Sequence, residues 1–239
     1  MTEPGIIFED DNILLVNKPA GITVIPDRIH TTRETLQSLL QKGHGRLFVV
    51  HRLDKDTSGV ICFAKDEVSH KALSLQFQNH TVNKIYKALV KGRVANSSGT
   101  IKEPIAENPS WPGTMKVNKR GKEALSIYEV LESFDHATLL QVEIKTGRTH
   151  QIRVHMAFIG HPLLVDEIYG QTSAFYLSSV KRGYKFSGEE ERPTISRLTL
   201  HASELSLVHP LTGQAMKFNA PLPKDMETVL RLLRKYDSK

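Results

Sequence analysis

The sequence predicts an α+β protein, and three observations carry that prediction. Apolar runs of strand length recur along most of the chain. Three or four stretches with helical spacing lie between them rather than alternating with every strand. At 239 residues, the chain is also long enough to bury a proper core.

The elements follow in order. Residues 6–9 and 13–17 read as strands flanking an Asp10-Asp11-Asn12 turn. Thr31-Thr32-Arg33-Glu34 has the form of a capping box, with Leu36, Leu39 and Leu40 at helical spacing after it. Residues 47–50 and 60–65 read as strands around a polar turn. Asp66 is placed to cap a helix reaching Gln78. Residues 85–92, 123–133 and 137–146 are strand-like. In the last, Leu140, Val142 and Ile144 alternate with Gln141, Glu143 and Lys145, the period of a half-buried strand. A helix is expected over 149–159. Residues 171–197 are polar, include Glu189-Glu190-Glu191, and read as a long loop insertion. Residues 198–208 and 214–219 form a hairpin around Pro210-Leu211-Thr212-Gly213. A last helix over 224–236 puts Met226, Val229, Leu230 and Leu233 on one face. No composition shift marks a boundary, so a single domain over 1–239 is expected.

Composition narrows the function classes. Hydrophobic residues make up 39%, as in ordinary globular chains. No apolar stretch approaches the roughly 20 residues of a membrane span. The N-terminus lacks the charged and apolar regions of a signal peptide. The one cysteine, Cys62, lies in an apolar run and reads as a small buried hydrophobe. A reducing, cytoplasmic setting is expected. The net charge of +6 favours a polyanionic partner. Basic residues gather at Lys84, Lys87, Lys91 and Arg93; at Lys116, Lys119, Arg120 and Lys122; at Arg148 and Arg153; and at Lys181, Arg182 and Lys185. Tyr86, Trp111 and Tyr184 lie among them. Cations bind phosphates and aromatic rings stack on bases.

The most informative run is His51-Arg52-Leu53-Asp54-Lys55-Asp56-Thr57-Ser58-Gly59. It sets a carboxylate, Asp54, on a short turn between two strands, closed by residues suited to turns. The run resembles the catalytic-aspartate motif of RNA pseudouridine synthases of the RluA type, H-R-L-D-x-x-T-S-G, at every fixed position. Other blocks resemble that family in the same order: Ile13 to Gly21 its opening strand and turn, Lys84-Ile85-Tyr86-Lys87-Ala88 its tyrosine motif, Lys145 to His155 its arginine motif, and His201-Ala202 and His209-Pro210 its C-terminal strands. Together they cover roughly 6 to 222. The resemblance is to the short form without an S4 RNA-binding domain.

The resemblance implies an extended, mixed, mostly antiparallel sheet with helices and loops on both faces. It implies an isomerase that turns a uridine of structured rRNA or tRNA into pseudouridine after flipping it out. The reaction needs a carboxylate and no cofactor. Asp54 would attack C1′ or C6, or take the C2′ proton; all three routes stay open. Arg153 would pair with Asp54. Tyr86 would pack on the uracil, its hydroxyl a candidate base at C5. Arg52 would fill the space left by the flipped base. Candidate RNA contacts are Arg52, His51, Thr57, Arg148, Lys84, Lys119 and Arg120. One departure is Val165, where the family usually has Gly before Asp166; that segment is expected to support the helix bearing Arg153.

No metal is expected. His150 and His155 are five residues apart, which suits a helix face poorly, and nothing completes a site. No phosphate loop is present. A monomer is expected. Two other readings are open to these residues. A glycosidase-like hydrolase normally needs two acids, and the motifs supply one among bases. A non-catalytic RNA-binding or ribosome-assembly factor would sit better with loss of Asp54, Tyr86 or Arg153, and all three are present.

Overall fold

The computed structural model describes residues 4–26, 34–184 and 190–237. Its elements in chain order are β1 (Gly5–Glu9), β2 (Ile13–Lys18), α1 (Leu36–His44), β3 (Phe48–Val49), β4 (Ser58–Ala64), α2 (Glu67–Gln78), β5 (Asn83–Lys91), β6 (Ser98–Ile101), β7 (Ile105–Glu107), β8 (Met115–Val117), β9 (Ser126–Ser133), β10 (Ala137–Ile144), α3 (Gln151–Phe158), β11 (Leu200–Val208), β12 (Ala215–Asn219) and α4 (Lys224–Tyr236). The strands pair mostly antiparallel, and β11 pairs with β4 in parallel, so the sheet is mixed. The chain divides into two compact units, Met1–Ile85 with His201–Pro221, and Tyr86–Leu200 with Leu222–Lys239.

In the first unit β4 is the central strand. Its seven residues are all buried, as a continuous apolar run requires when both faces are covered. β2 and β3 pair with it antiparallel, β1 adds to β2, and β12 adds to β11. β11 joins β4 in parallel, His201 opposite Ser58 and Ala202 opposite Gly59. Gly59 has φ +120°, and a Cβ there would lie 2.1 Å from the Ala202 carbonyl oxygen. Only glycine fits that approach. Asp10 Oδ1 accepts from the backbone N–H of Asn12 and Ile13 (both 2.8 Å), fixing the first turn. Asp66 caps α2 through Ser69 N–H (2.8 Å), over the span expected from sequence. The expected capping box begins at Thr31, outside the described residues. The helix that is described starts at Leu36, with Thr35 and Ser38 forming the reciprocal box.

In the second unit the strand order is β5-β10-β9-β6, and β7 and β8 form a separate two-stranded sheet. Leu140 and Val142 are fully buried, matching the alternation read from sequence. Met226, Val229, Leu230 and Leu233 of α4 pack into a core with Leu89, Leu139 and Val165. The 171–197 stretch carries no α-helix or strand among its described residues, yet it is not merely a surface loop. Phe175, Val180 and Ile195 enter that same core, and Phe175 and Ile195 form an isolated bridge. The sequence shows no signal for β6, β7 or β8.

Candidate active site

The first unit carries the aspartate turn between β3 and β4. Leu53 is buried and anchors it, Asp54 is half-buried, and Arg52 is exposed. The Asp54 carbonyl accepts from Thr57 N–H at 3.2 Å, and Thr57 itself is buried. The neighbouring Lys55 carbonyl is held twice, by Gly21 N–H at 2.9 Å and by Lys18 Nζ at 2.8 Å. Lys18 has no exposed surface. Its ammonium also donates to the carbonyls of Pro19 (3.0 Å) and Ile22 (2.8 Å). A buried lysine is costly unless its donors are satisfied, and here they tie the loop after β2 to the aspartate turn.

Ser58 and His201 brace the far side. His201 Nε2 lies 3.2 Å from the Ala220 carbonyl and so carries the hydrogen; Nδ1 then accepts from Ser58 Oγ at 2.9 Å. His51, a candidate RNA contact, turns inward instead. Its ring stacks on Phe77 with centroids 4.4 Å apart, and Nε2 accepts from Cys62 N–H at 3.0 Å. Burial, helped by the charge of Lys84, pushes its pKa down to about 3. A neutral acceptor offers no charge to a phosphate. Lys84 is also buried.

The second unit carries Tyr86 and Arg153. Tyr86 stands on β5 and is buried. Arg153 lies on α3 with only 8% of its side chain exposed. Its Nε and Nη2 donate to the two oxygens of Asp166 at 2.8 and 2.9 Å, the strong bidentate geometry. Asp166 also accepts from Ile168 and Tyr169 N–H. The guanidinium sits 4.9 Å from the Tyr169 ring centroid, a cation–π contact. The segment containing Val165 thus supports the Arg153 helix as expected, and Val165 itself fills the core.

His150 precedes α3 with φ +54° and gives no side-chain cap; its Nδ1 pairs with the Tyr169 hydroxyl at 2.8 Å. Gln151 Oε1 accepts from Thr146 Oγ1 (2.7 Å) and Arg148 N–H (3.0 Å), which ties the preceding loop to the helix. Arg148 is half-buried, its Nε on the Glu123 carbonyl. His155 is held by Ser126 Oγ and the Glu103 carbonyl, and burial lowers its pKa. Lys119 and Arg120 are exposed on the turn after β8. Among the described residues no group of three or more His, Cys, Asp and Glu could hold a metal ion. No helix there is long and apolar enough to cross a membrane.

The structure thus gathers His51, Arg52, Asp54 and Thr57 on one turn, and Arg148 and Arg153 about the start of one helix. Sequence reasoning gave no role to Lys18, which sits in a stretch read only as strand and turn. Asp166 enters the sequence analysis only as the residue after Val165, and that it and Tyr169 hold Arg153 is not legible there, because the pairing is made across separate elements.

Comparison with known proteins adds independent findings. The family described as RNA pseudouridylate synthase matches residues 12–158. Ribosomal large subunit pseudouridine synthase D of Buchnera aphidicola is 40% identical over 236 residues, covering 97% of this chain and 73% of its own. The protein of the same name from Pseudomonas aeruginosa is 42% identical over 237 residues, covering 97% and 72%. Among solved structures, Human RNA Pseudouridylate Synthase Domain Containing 4 is similar with TM-score 0.72 and 28% identity, covering 96% of this chain and 93% of its own.

Proposed function

This chain belongs to the RNA pseudouridylate synthase family, and on that premise we propose that Asp54 is its catalytic carboxylate and a stem-loop of large-subunit ribosomal RNA its substrate. The enzyme is an isomerase acting on RNA. It breaks the N1–C1′ bond of a uridine, turns the base, and forms the C5–C1′ bond. The proton lost from C5 is balanced by one gained at N1, so no electrons are exchanged and no group donor is consumed.

The observation that carries the reading is the aspartate turn. Lys18, Gly21, Ser58 and His201 clamp the backbone around it, while Asp54 stays half-buried and Arg52 exposed. A carboxylate on so firmly held a turn is pre-positioned for a reacting atom. Asp166 holds Arg153 by a bidentate pair, and Arg153 is the cation we assign to keeping the Asp54 carboxylate charged. Tyr86 packs on the uracil, and Arg52 enters the stack when the uridine leaves. The names of the curated relatives support the choice of ribosomal RNA. The chain is read as a single catalytic domain, acting as a monomer in the cytoplasm.

The test is a large-subunit rRNA transcript, unmodified and with 5-fluorouridine in place of uridine. Wild-type protein is expected to form pseudouridine on the first and a stable adduct on the second. Asp54→Asn keeps the shape and is expected to bind RNA yet form no detectable product. Turnover by that variant within about tenfold of wild type, a barrier difference of only about 1.4 kcal/mol, would refute the role. Mapping pseudouridines in a deletion strain against its parent identifies the position.

A further inference from the structure

The second unit carries a feature that the isomerisation leaves unused. Between β7 and β8 the chain closes a tight turn over residues 108–114. Asn108 N–H donates to the Thr114 carbonyl (2.8 Å) and Trp111 N–H to the Asn108 carbonyl (3.2 Å). Thr114 returns two bonds to the Trp111 carbonyl, from N–H (3.1 Å) and Oγ1 (2.7 Å). Gly113 supplies the left-handed residue at φ +81°. At the apex Trp111, the only tryptophan of the chain, is 58% exposed. A turn this constrained fixes the backbone that carries the indole, and much of the residue's surface stays in water.

Cations lie at the other end of the same hairpin. Lys119, Arg120 and Lys122 are exposed around the turn that follows β8, and Asn118 organises that turn through Arg120 N–H and Gly121 N–H. β8 has three residues, a rise of about 10 Å, so aromatic plate and cations are separated by the length of one or two nucleotides of extended strand. One acid, Glu107, lies on the hairpin as well. The hairpin is anchored from beneath. Ile105, Met115 and Val117 pack with Ala124, Val154 and Tyr169. Met115 N–H donates to the Tyr169 hydroxyl at 2.8 Å, and that ring lies against Arg153. Whatever the hairpin holds is therefore registered to the arginine helix of its own unit.

We propose that Trp111 is a stacking platform for an unpaired nucleotide of the substrate RNA outside the target uridine, with Lys119, Arg120 and Lys122 holding the adjoining phosphates. The proposal rests on the RNA reading above and adds a subsite to it. Stacking tolerates any base, because every base has a π-face, so the platform sets grip and register rather than sequence.

The single tryptophan is its own reporter. Full-length Asp54→Asn protein is titrated with a short 5′-fluorescein-labelled oligouridylate, following label anisotropy and tryptophan emission together. Emission is expected to fall in step with the anisotropy rise. Trp111→Leu is expected to bind about tenfold more weakly, the scale of one lost base stack. The loss should be the same at every salt concentration, because no charge is removed. Trp111→Phe should recover much of it. Lys119→Ala should instead reduce the salt slope by about 0.7. Anisotropy that rises with unchanged emission overturns the platform and leaves the RNA reading intact; so does Trp111→Leu binding as tightly as its parent. Absence of binding to both the oligouridylate and the rRNA transcript overturns the two together.

Discussion

Asp54 and Arg153 are held in opposite ways. The aspartate turn is fixed through its backbone: carbonyls and amides are clamped by Lys18, Gly21 and Thr57, and the brace beside it is the Ser58–His201 hydrogen bond. The arginine is fixed through its side chain, by a bidentate carboxylate and an aromatic face. A group placed by its backbone keeps its side chain available for chemistry. A group placed by its side chain owes its position to its partners. The first region should therefore fail through loss of geometry, and the second through loss of charge balance.

The largest effect is expected where charge balance is broken. Asp166→Ala removes a fully buried carboxylate from a nearly buried guanidinium. A loss of about 3–5 kcal/mol of stability in urea unfolding is expected, with activity falling alongside. A loss below about 1 kcal/mol would show that other groups carry the balance and would erase the contrast. Lys18→Met tests the backbone side. It deprives three carbonyls of a donor but also removes a buried charge that was costly to desolvate, so about 2 kcal/mol is expected. The turnover number should drop while the affinity for RNA stays close to wild type. A drop confined to affinity would mean that Lys18 does not place Asp54.

Arg52→Ala should leave stability unchanged, since the side chain is exposed. Its relative rate should fall by about 1–3 kcal/mol on a folded stem-loop, and by less on an unstructured oligonucleotide holding the same uridine. Equal losses on both would take base replacement away from Arg52. The smallest effect concerns His51. Its folded pKa, about 3, lies below that of the unfolded chain, so the unfolded state binds more protons in acid. The stability from its neutral form is complete above about pH 6.5 and is lost as pH falls toward about 3. At about pH 5.5 the deficit is about 1.4 kcal/mol. His51→Gln keeps an acceptor for Cys62 N–H without titrating, and its urea midpoint should move less between pH 8 and 5.5. Parallel curves would place the acid sensitivity elsewhere.

Local signals were legible in the sequence and long-range ones were not. α2 could be read with its cap because Asp66 and the residues after it act within one turn. α4 could be read because Met226, Val229, Leu230 and Leu233 repeat with the helical period. β6, β7 and β8 could not, since strands of three or four residues complete no clear alternation. The aspartate turn was legible through its family motif. That Lys18 would be buried was not, for lysine is ordinarily a surface residue. The inward turn of His51 and the Arg153–Asp166 pair depend on partners 11 and 13 residues away, beyond the reach of periodicity.

The parallel contact of β4 with β11 also sets a timetable. Ser58 and His201 are 143 residues apart in the chain, and Gly59 meets Ala202 at the same point. During synthesis the aspartate turn emerges early, but its brace does not exist until the ribosome has passed residue 201. Closing so long a loop is slow compared with forming the hairpins on either side. Every chain therefore passes through a stage in which the complete signature around Asp54 is present and its support is not. A product truncated before β11 would remain at that stage.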